Sequence, residues 1–197
     1  MICFESAGKQ NTAETVRIAL ERAIAMDCPI VAASTLGVTA DALLTAAQSS
    51  GFRNKIVIVR GCSGRNRKGV NLMKPEVKAD LVSRGAVIVT AAHALSAGER
   101  SISGTFKGVY PLELMANTLR MFGQGTKVCV EAAVMALDAD ALPFGVPVVA
   151  VGGSHRGADT AVVLTPSYSA SFLDTVVHEI LCKPHDIRNP DPSMTFD

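Results

Sequence analysis

Hydroxyl side chains and a glycine follow a short apolar run and come just before a helical pattern. The run Ile30–Ala33 is followed by Ser34, Thr35, Gly37 and Thr39. Backbone N–H groups at a helix N-terminus have no partner inside the helix, and the helix dipole favours negative charge there. Glycine allows close approach of the backbone, and hydroxyls add donors. The pattern predicts a phosphate site, with an ordinary Ser/Thr helix cap as the alternative.

A glycine-rich stretch with one arginine follows a later apolar run. It contains Gly152, Gly153, His155 and Arg156. Successive N–H groups in such a loop can form an anion nest, and a guanidinium pairs well with phosphate. The clustering favours a second phosphate contact over a plain connecting loop.

Two further features suggest a functional role, but their residue patterns are less specific. His93 follows the third predicted strand, where ligands bind in a doubly wound sheet. It is either a hydrogen-bond donor or general acid/base, or a packed or solvated side chain. The basic loop Gly61–Lys74 contains Arg65 and Arg67 but has neither Walker A nor GxGxxG spacing. A solvated loop and a contact with ligand phosphate or another chain both remain open for it. The acids and histidines show no metal-ligand spacing.

The elements that must position these residues alternate between strand and helix. The strands are predicted over 30–33, 56–59, 86–90, 147–151 and 161–164, and the helices over 39–50, 75–84, 112–122 and 127–142. A capping box at Asn11–Glu14 predicts another helix after it. Continuous apolar strands alternating with helices are typical of an α/β three-layer sandwich with a mostly parallel central sheet.

Two segments are less clear. Residues 93–110 form a long polar stretch rich in Gly and Ser, which predicts a functional lid or a disordered loop. Residues 172–183 fit a strand or a short helix, and a final edge strand is favoured. The turn-rich tail, residues 186–197, is expected to be loosely ordered, and residues 1–197 are treated as one domain.

Composition narrows the classes of partner. The net charge is +1 and aromatic residues make up 5% of the 197 residues, which disfavours nucleic-acid binding. No apolar run reaches the roughly 18 residues of a membrane span, and the N-terminus does not resemble a signal peptide. Five cysteines without CxxC spacing fit reduced thiols. We therefore expect a cytoplasmic protein without membrane or nucleic-acid partners; the apolar composition permits a homo-oligomer.

Several motifs, in order along nearly the whole chain, resemble the stand-alone pyruvate kinase C-terminal-domain-like family, whose members are mostly uncharacterised. The motifs are Phe4–Thr12, Ala33–Ala40, Tyr110–Glu113, Asn117–Phe122, Met135–Ala139 and Arg156–Ala161.

The resemblance implies a fold like the C-terminal domain of pyruvate kinase, with a sugar-phosphate pocket at Thr35–Ala40. Some family structures hold flavin mononucleotide (FMN), so FMN is the expected ligand. Its phosphate would contact Ser34, Thr35, Gly37, Val38 and Thr39, and its ring would lie under His93 and residues 101–108. The resemblance also suggests pocket positions near the start of the chain, namely Glu5, Ser6 and Asn11.

Two functions remain open at this point. One is a flavin-dependent oxidoreductase, and the other is a non-catalytic sensing module for a sugar phosphate or nucleotide. Because 197 residues leave no room for a barrel of about 250 residues, we expect no pyruvate kinase activity. Replacing Gly37 by valine is expected to abolish ligand binding while leaving the fold largely intact.

Overall fold

The structure is a computed structural model that describes residues 1–64 and 68–185. The strands are β1 Ile2–Phe4, β2 Ile30–Ala33, β3 Ile56–Gly61, β4 Val87–Ala91, β5 Val148–Gly152, β6 Thr160–Thr165 and β7 Val176–Pro184. The helices are α1 Thr12–Met26, α2 Val38–Ser50, α3 Pro75–Ser83, α4 Ala97–Phe106, α5 Pro111–Arg120 and α6 Gln124–Asp138. Short 3₁₀ helices span Lys9–Asn11 and Ser169–Asp174.

All described strands form one sheet in the order β1-β7-β6-β5-β2-β3-β4. Strand β6 runs antiparallel to both of its neighbours, and the other described pairs are parallel. The α/β class with a mostly parallel sheet is therefore confirmed.

Helices cover both faces of this sheet. Successive side chains of a strand point to opposite faces. Accordingly, Ile30 and Ala32 of β2 join a core with the apolar side chains of α1, α2 and α3. Val31 lies in the other core, together with the buried face of α6. The predicted three-layer arrangement is confirmed.

The sheet reverses its strand order beside β2. From β2 the chain runs through α2 to β3 and through α3 to β4. After α4 and α5 it returns through α6 to β5, which lies on the other side of β2. In open α/β sheets, ligands bind outside the carboxyl ends of strands at such a reversal. The topology thus places the ends of β2 and β5 side by side.

The predicted loop at 93–110 contains a helix instead. Helix α4 buries none of its residues, so its sequence carries little apolar signal. Its Glu99 carboxylate accepts hydrogen bonds from the backbone of Leu112, at 3.2 Å, and of Glu113, at 2.8 Å. These bonds cap α5 and fix α4 against it.

Other expectations about the elements need correction. Residues 176–184 do form a strand, but β7 is not an edge because β1 pairs with it, Ile2 opposite Cys182. The capping box is not formed either, since the Asn11 amide donates to Ser6 O at 2.7 Å. The expectations for Arg65, Arg67 and residues 186–197 lie outside the described residues. None of the helices within the described ranges has the length and apolar character to cross a bilayer.

Candidate anion-binding site

A cavity of about 630 Å³ opens at the carboxyl ends of β2, β3 and β5, next to the first turns of α6. Its size lies within the usual range for small-molecule sites, about 300–1,000 Å³. Seven of the predicted site residues line it: Ser34, Thr35, Val38, Thr39, His93, Gly153 and Arg156. The structure therefore brings together residues that lie more than a hundred positions apart in the chain.

Five other predicted site residues are not among those that line the cavity: Glu5, Ser6, Asn11, Gly37 and Gly152. Ser6 and Asn11 are engaged locally, since the Ser6 hydroxyl accepts a bond from Gln10 and its carbonyl accepts one from Asn11. The segment before α1 instead contributes Lys9 to the cavity.

The turn at residues 34–39 forms both a helix cap and part of the cavity wall. Ser34 Oγ accepts a hydrogen bond from Ala40 N at 3.3 Å, so this hydroxyl caps α2. Gly37 is the N-cap and has a φ of 102°, which favours glycine. Because Thr35, Val38 and Thr39 line the cavity, the N-terminus of α2 lies at its wall.

A side chain at position 37 would meet helix α3 at Val77, which is not among the residues that line the cavity. A Cβ atom built on Gly37 would lie 2.5 Å from Val77 Cγ1 of α3. The glycine is therefore required by helix packing and by its positive φ. The expectation that valine at this position leaves the fold largely intact is at odds with this geometry.

The loop after β5 is held by one buried carboxylate. Asp159 Oδ2 accepts hydrogen bonds from Gly8 N at 3.0 Å and Ser154 N at 3.2 Å, while Oδ1 accepts one from the Thr160 hydroxyl at 2.9 Å. Gly157 packs closely, because a Cβ built there would lie 2.7 Å from Lys9 Cα. These contacts hold the segment with Lys9 beside the loop with Arg156.

Positive charge dominates the cavity lining. The cationic side chains are Lys9, Arg60, Arg100, Arg120, Lys127 and Arg156, and Glu131 is the carboxylate among the lining residues. Within the described part of the chain, only Lys127 of these six cations lies within 4.0 Å of a carboxylate. A concave site with one sign of charge focuses its field and attracts anions.

Helix α6 supplies the buried charges of the cavity. Lys127 Nζ donates to Glu131 Oε2, and the two side chains are 4% and 3% exposed. The same oxygen lies 3.0 Å from His93 Nδ1, and Glu131 Oε1 accepts a bond from Leu95 N at 2.9 Å. One carboxylate thus binds groups from α6 and from the segment after β4.

The ionisation of this pair follows from its surroundings. Burial opposes the charge of Glu131, but the hydrogen bond with His93 and the Lys127 ammonium outweigh it and lower the pKa of Glu131 to about 2. Burial lowers the pKa of Lys127, with Glu131 opposing that effect and the charges of Arg120 and Arg100 adding to it. The influence of both arginines reflects the positive charge around this end of α6.

The sequence analysis missed several cavity residues. Lys9, Arg100, Arg120, Lys127 and Glu131 lie in helical segments, where charged residues ordinarily face solvent. A signal existed only for Arg60, since it stands near the end of a predicted strand that leads to the ligand edge.

No protein-family model matches the chain. Among solved structures, a pyruvate kinase from Cryptosporidium parvum is similar over 77% of this chain and 22% of its own, at 15% identity and a TM-score of 0.38. The pyruvate kinase of the same organism in complex with ADP is similar over 88% of this chain and 24% of its own, at 15% identity and a TM-score of 0.36.

The chain thus spans about a quarter or less of the pyruvate kinase chains it matches. At this identity and TM-score the likeness does not extend to activity, and the ADP belongs to that pyruvate kinase. The α/β class of the present chain is shown by its own sheet.

Proposed function

We propose that this protein binds a phosphorylated small molecule in the cavity, and that the ligand is FMN. The observation that carries the proposal is the set of five cavity cations without a carboxylate within 4.0 Å among the described residues. Like charges repel, and an anionic ligand relieves that repulsion. The N-termini of α2 and α6 add partial positive charge at the same cavity.

The two parts of FMN suit different parts of the lining. The phosphate group would contact the turn at Thr35–Thr39, with Arg156 and Lys9 as its counter-charges. The isoalloxazine ring would pack on apolar side chains that also line the cavity, Val59, Val128 and Met135. Ser96 and Arg100, close to and within α4, would border the bound ligand. Residues 101–108, which the sequence analysis expected to lie over the ring, are not among the residues that line the cavity.

A bound flavin would supply hydride or single-electron transfer, which makes a flavin-dependent oxidoreductase the corresponding enzyme class. In that case the residues of this chain bind the phosphate, orient the ring and shield it from water.

The spectrum of the purified protein tests the FMN proposal directly. We expect flavin absorption bands and, after heat release, FMN by mass spectrometry near one per chain. Titration of protein stripped of ligand with FMN then gives the dissociation constant. Replacing Arg156 by alanine is expected to weaken FMN binding about tenfold or more, because a charge-assisted contact to phosphate is lost.

Arg53→Ala is a matched control, since this exposed arginine precedes β3 and is not among the residues that line the cavity. Its affinity for FMN should equal that of the wild type. Binding of FMN that is unaffected by Arg156→Ala would contradict the assigned phosphate contact, and failure of all phosphorylated compounds to bind would contradict the proposed function.

A sensing module for a sugar phosphate or nucleotide is the second candidate. Two observations favour this second candidate. The described lining residues include no Phe, Tyr or Trp ring for stacking, and their cationic charge exceeds what one phosphate group would neutralise. A colourless protein that releases a sugar phosphate or nucleotide on heating would support this candidate.

A further inference from the structure

The segment formed by α4 and α5, residues 97–122, exposes a group of large apolar side chains. Each of them is between 47% and 75% exposed. They are Ile102, Phe106, Val109, Leu114, Met121 and Phe122, and we call them the apolar patch. None of the six is among the residues that line the cavity, so ligand binding does not account for their exposure.

Helix α4 has a sequence that is poorly suited to a helix without a packing partner. Its ten residues include Gly98, Gly104 and Thr105, which all have low helix propensity. Helices shorter than about 12–15 residues are marginal in water, and packing of an apolar face usually supplies their stability. Yet α4 buries none of its residues in the single chain. A contact outside the single chain would supply the packing that α4 lacks.

Hydrogen bonds place the apolar residues of α4 beside the start of α5. Spacings of three, four and seven residues put four side chains on one side of α4: Glu99, Ile102, Ser103 and Phe106. Glu99 accepts the two backbone bonds from the first turn of α5, and Ser103 Oγ donates to Glu113 Oε1 at 2.6 Å. This side of α4 therefore faces the first turn of α5.

The exposed residues of α5 continue the same surface. Leu114 directly follows Glu113, which contacts α4. Met121 comes seven residues after Leu114, so the two lie on the same side of α5, two turns apart. Val109 lies in the short connection between the helices. The apolar patch is thus a continuous surface of the segment.

The area of the apolar patch is sufficient for a stable interface. A large side chain offers about 150–250 Å² when it is fully exposed, so the six side chains leave roughly 600–800 Å² in contact with water. The largest apolar patch of a typical monomer is about 300–600 Å². A standard protein interface takes about 800 Å² from each partner, which is close to what this patch offers.

The charges of the segment favour a second copy of the chain as the partner. Three cations and two carboxylates nearly balance each other: Arg100, Lys107, Arg120, Glu99 and Glu113. Segments that bind anionic membranes gather about four to eight Lys or Arg residues, and this segment lacks such an excess. Two-fold symmetry sets the same patch of both copies against each other, and the interfaces of homodimers are more apolar than those of transient complexes.

We propose that this protein forms a two-fold symmetric homodimer through the apolar patch, with α4 and α5 of one copy packed on α4 and α5 of the other. The dimer does not depend on the identity of the ligand. Because the same two helices carry Arg100 and Arg120 to the cavity, the contact between the copies also steadies one wall of the cavity.

Sedimentation equilibrium of the full chain tests the proposal. We expect a dimer with a dissociation constant of about 1 µM or tighter, within the range of interfaces of this size. Phe106→Glu should weaken dimerisation about 30-fold or more, because it places a carboxylate in an apolar interface. Phe106 is 75% exposed in the single chain, so the variant should fold, which circular dichroism verifies.

Leu173→Glu is the matched control, because Leu173 is 85% exposed and lies in the second 3₁₀ helix, outside the apolar patch. Its dimerisation should equal that of the wild type. Amide hydrogen exchange gives a second readout. In the wild type, residues 97–106 should exchange more slowly above the dissociation constant than below it, since the partner covers α4.

Three results would overturn the proposal. One is a wild-type chain that stays monomeric up to about 100 µM, far above the range expected for such an area. Another is a dimer that Phe106→Glu leaves unchanged or that Leu173→Glu dissociates, since either places the interface elsewhere on the chain. The third is exchange of α4 that is equal in monomer and dimer.

Discussion

Asp159 Oδ2 accepts a hydrogen bond from Gly8 N at 3.0 Å, which ties the start of the chain to the loop that carries Arg156. The carboxylate is fully buried and also holds Ser154 N and the Thr160 hydroxyl. It therefore fixes two cationic segments of the cavity relative to each other.

We expect Asp159→Asn to lower the free energy of unfolding by about 1–3 kcal/mol, because a buried charge-assisted bond is lost. The affinity for phosphate should fall as well, since Lys9 and Arg156 lose their common support. Urea unfolding and calorimetry measure the two effects. Asp140→Asn, at an exposed position after α6, should change stability by less than about 0.5 kcal/mol.

Gly37 is predicted to be needed for packing. Alanine at this position should destabilise the protein by about 1–3 kcal/mol, because it holds a φ of 102° and its Cβ would meet Val77. Thermal unfolding measures the loss. In a Val77→Ala background, Gly37→Ala should lower the free energy of unfolding by less than it does in the wild type. An equal cost in both backgrounds would contradict the clash with Val77.

Lys127→Met is predicted to destabilise the protein by about 3–5 kcal/mol, since it leaves the buried Glu131 without its ammonium partner. A double variant with Lys127→Met and Glu131→Leu should recover part of that loss. Urea unfolding of the two single variants and the double variant gives the coupling energy by a double-mutant cycle. A coupling energy near zero would show that the pair does not interact in solution.

Acid should destabilise the protein in part through Glu131. Its pKa falls from an ordinary 4.5 to about 2 on folding, so its contribution is present above pH 4.5 and is lost as the pH falls towards 2. The side chain is 3% exposed, and the shift corresponds to roughly 3 kcal/mol. Unfolding free energies measured between pH 5 and 2 should fall more steeply for wild type than for Glu131→Gln.

The cysteines should divide into two groups by reactivity. Burial raises the pKa of Cys182 to about 11 and that of Cys129 well above its ordinary value, and both side chains are inaccessible. Cys3 is exposed and Cys62 is half-buried. Native alkylation followed by mass spectrometry should label Cys3 and Cys62 within minutes, whereas Cys129 and Cys182 should react only in denaturant.

The strands were the most predictable elements of the fold. Ile30–Ala33 and Ile56–Val59 are continuous apolar runs because helices cover both faces of the sheet, and such runs are visible without knowledge of the fold. Strand β1 carries no comparable signal. It has three residues, and it exists because Ile2 pairs with Cys182 near the other end of the described chain.

Some residues of the candidate site were likewise predictable from the sequence, and others were not. Residues that follow strands, such as Ser34, His93 and Arg156, were found because strand ends meet at one edge of a parallel sheet. Lys127 and Glu131 were not found. Charged residues four positions apart on a helix ordinarily form an exposed pair, and nothing in their spacing reveals that they are buried.

The sequence by itself determined the alternation of strands and helices, because apolar periodicity and glycine positions are local properties of the chain. It also placed the hydroxyl-rich and glycine-rich turns at strand ends. Only the tertiary structure decided the direction of β6, the capping of α5 by Glu99 and the burial of Lys127 with Glu131. These features depend on contacts between distant segments, whose energies no short window of sequence contains.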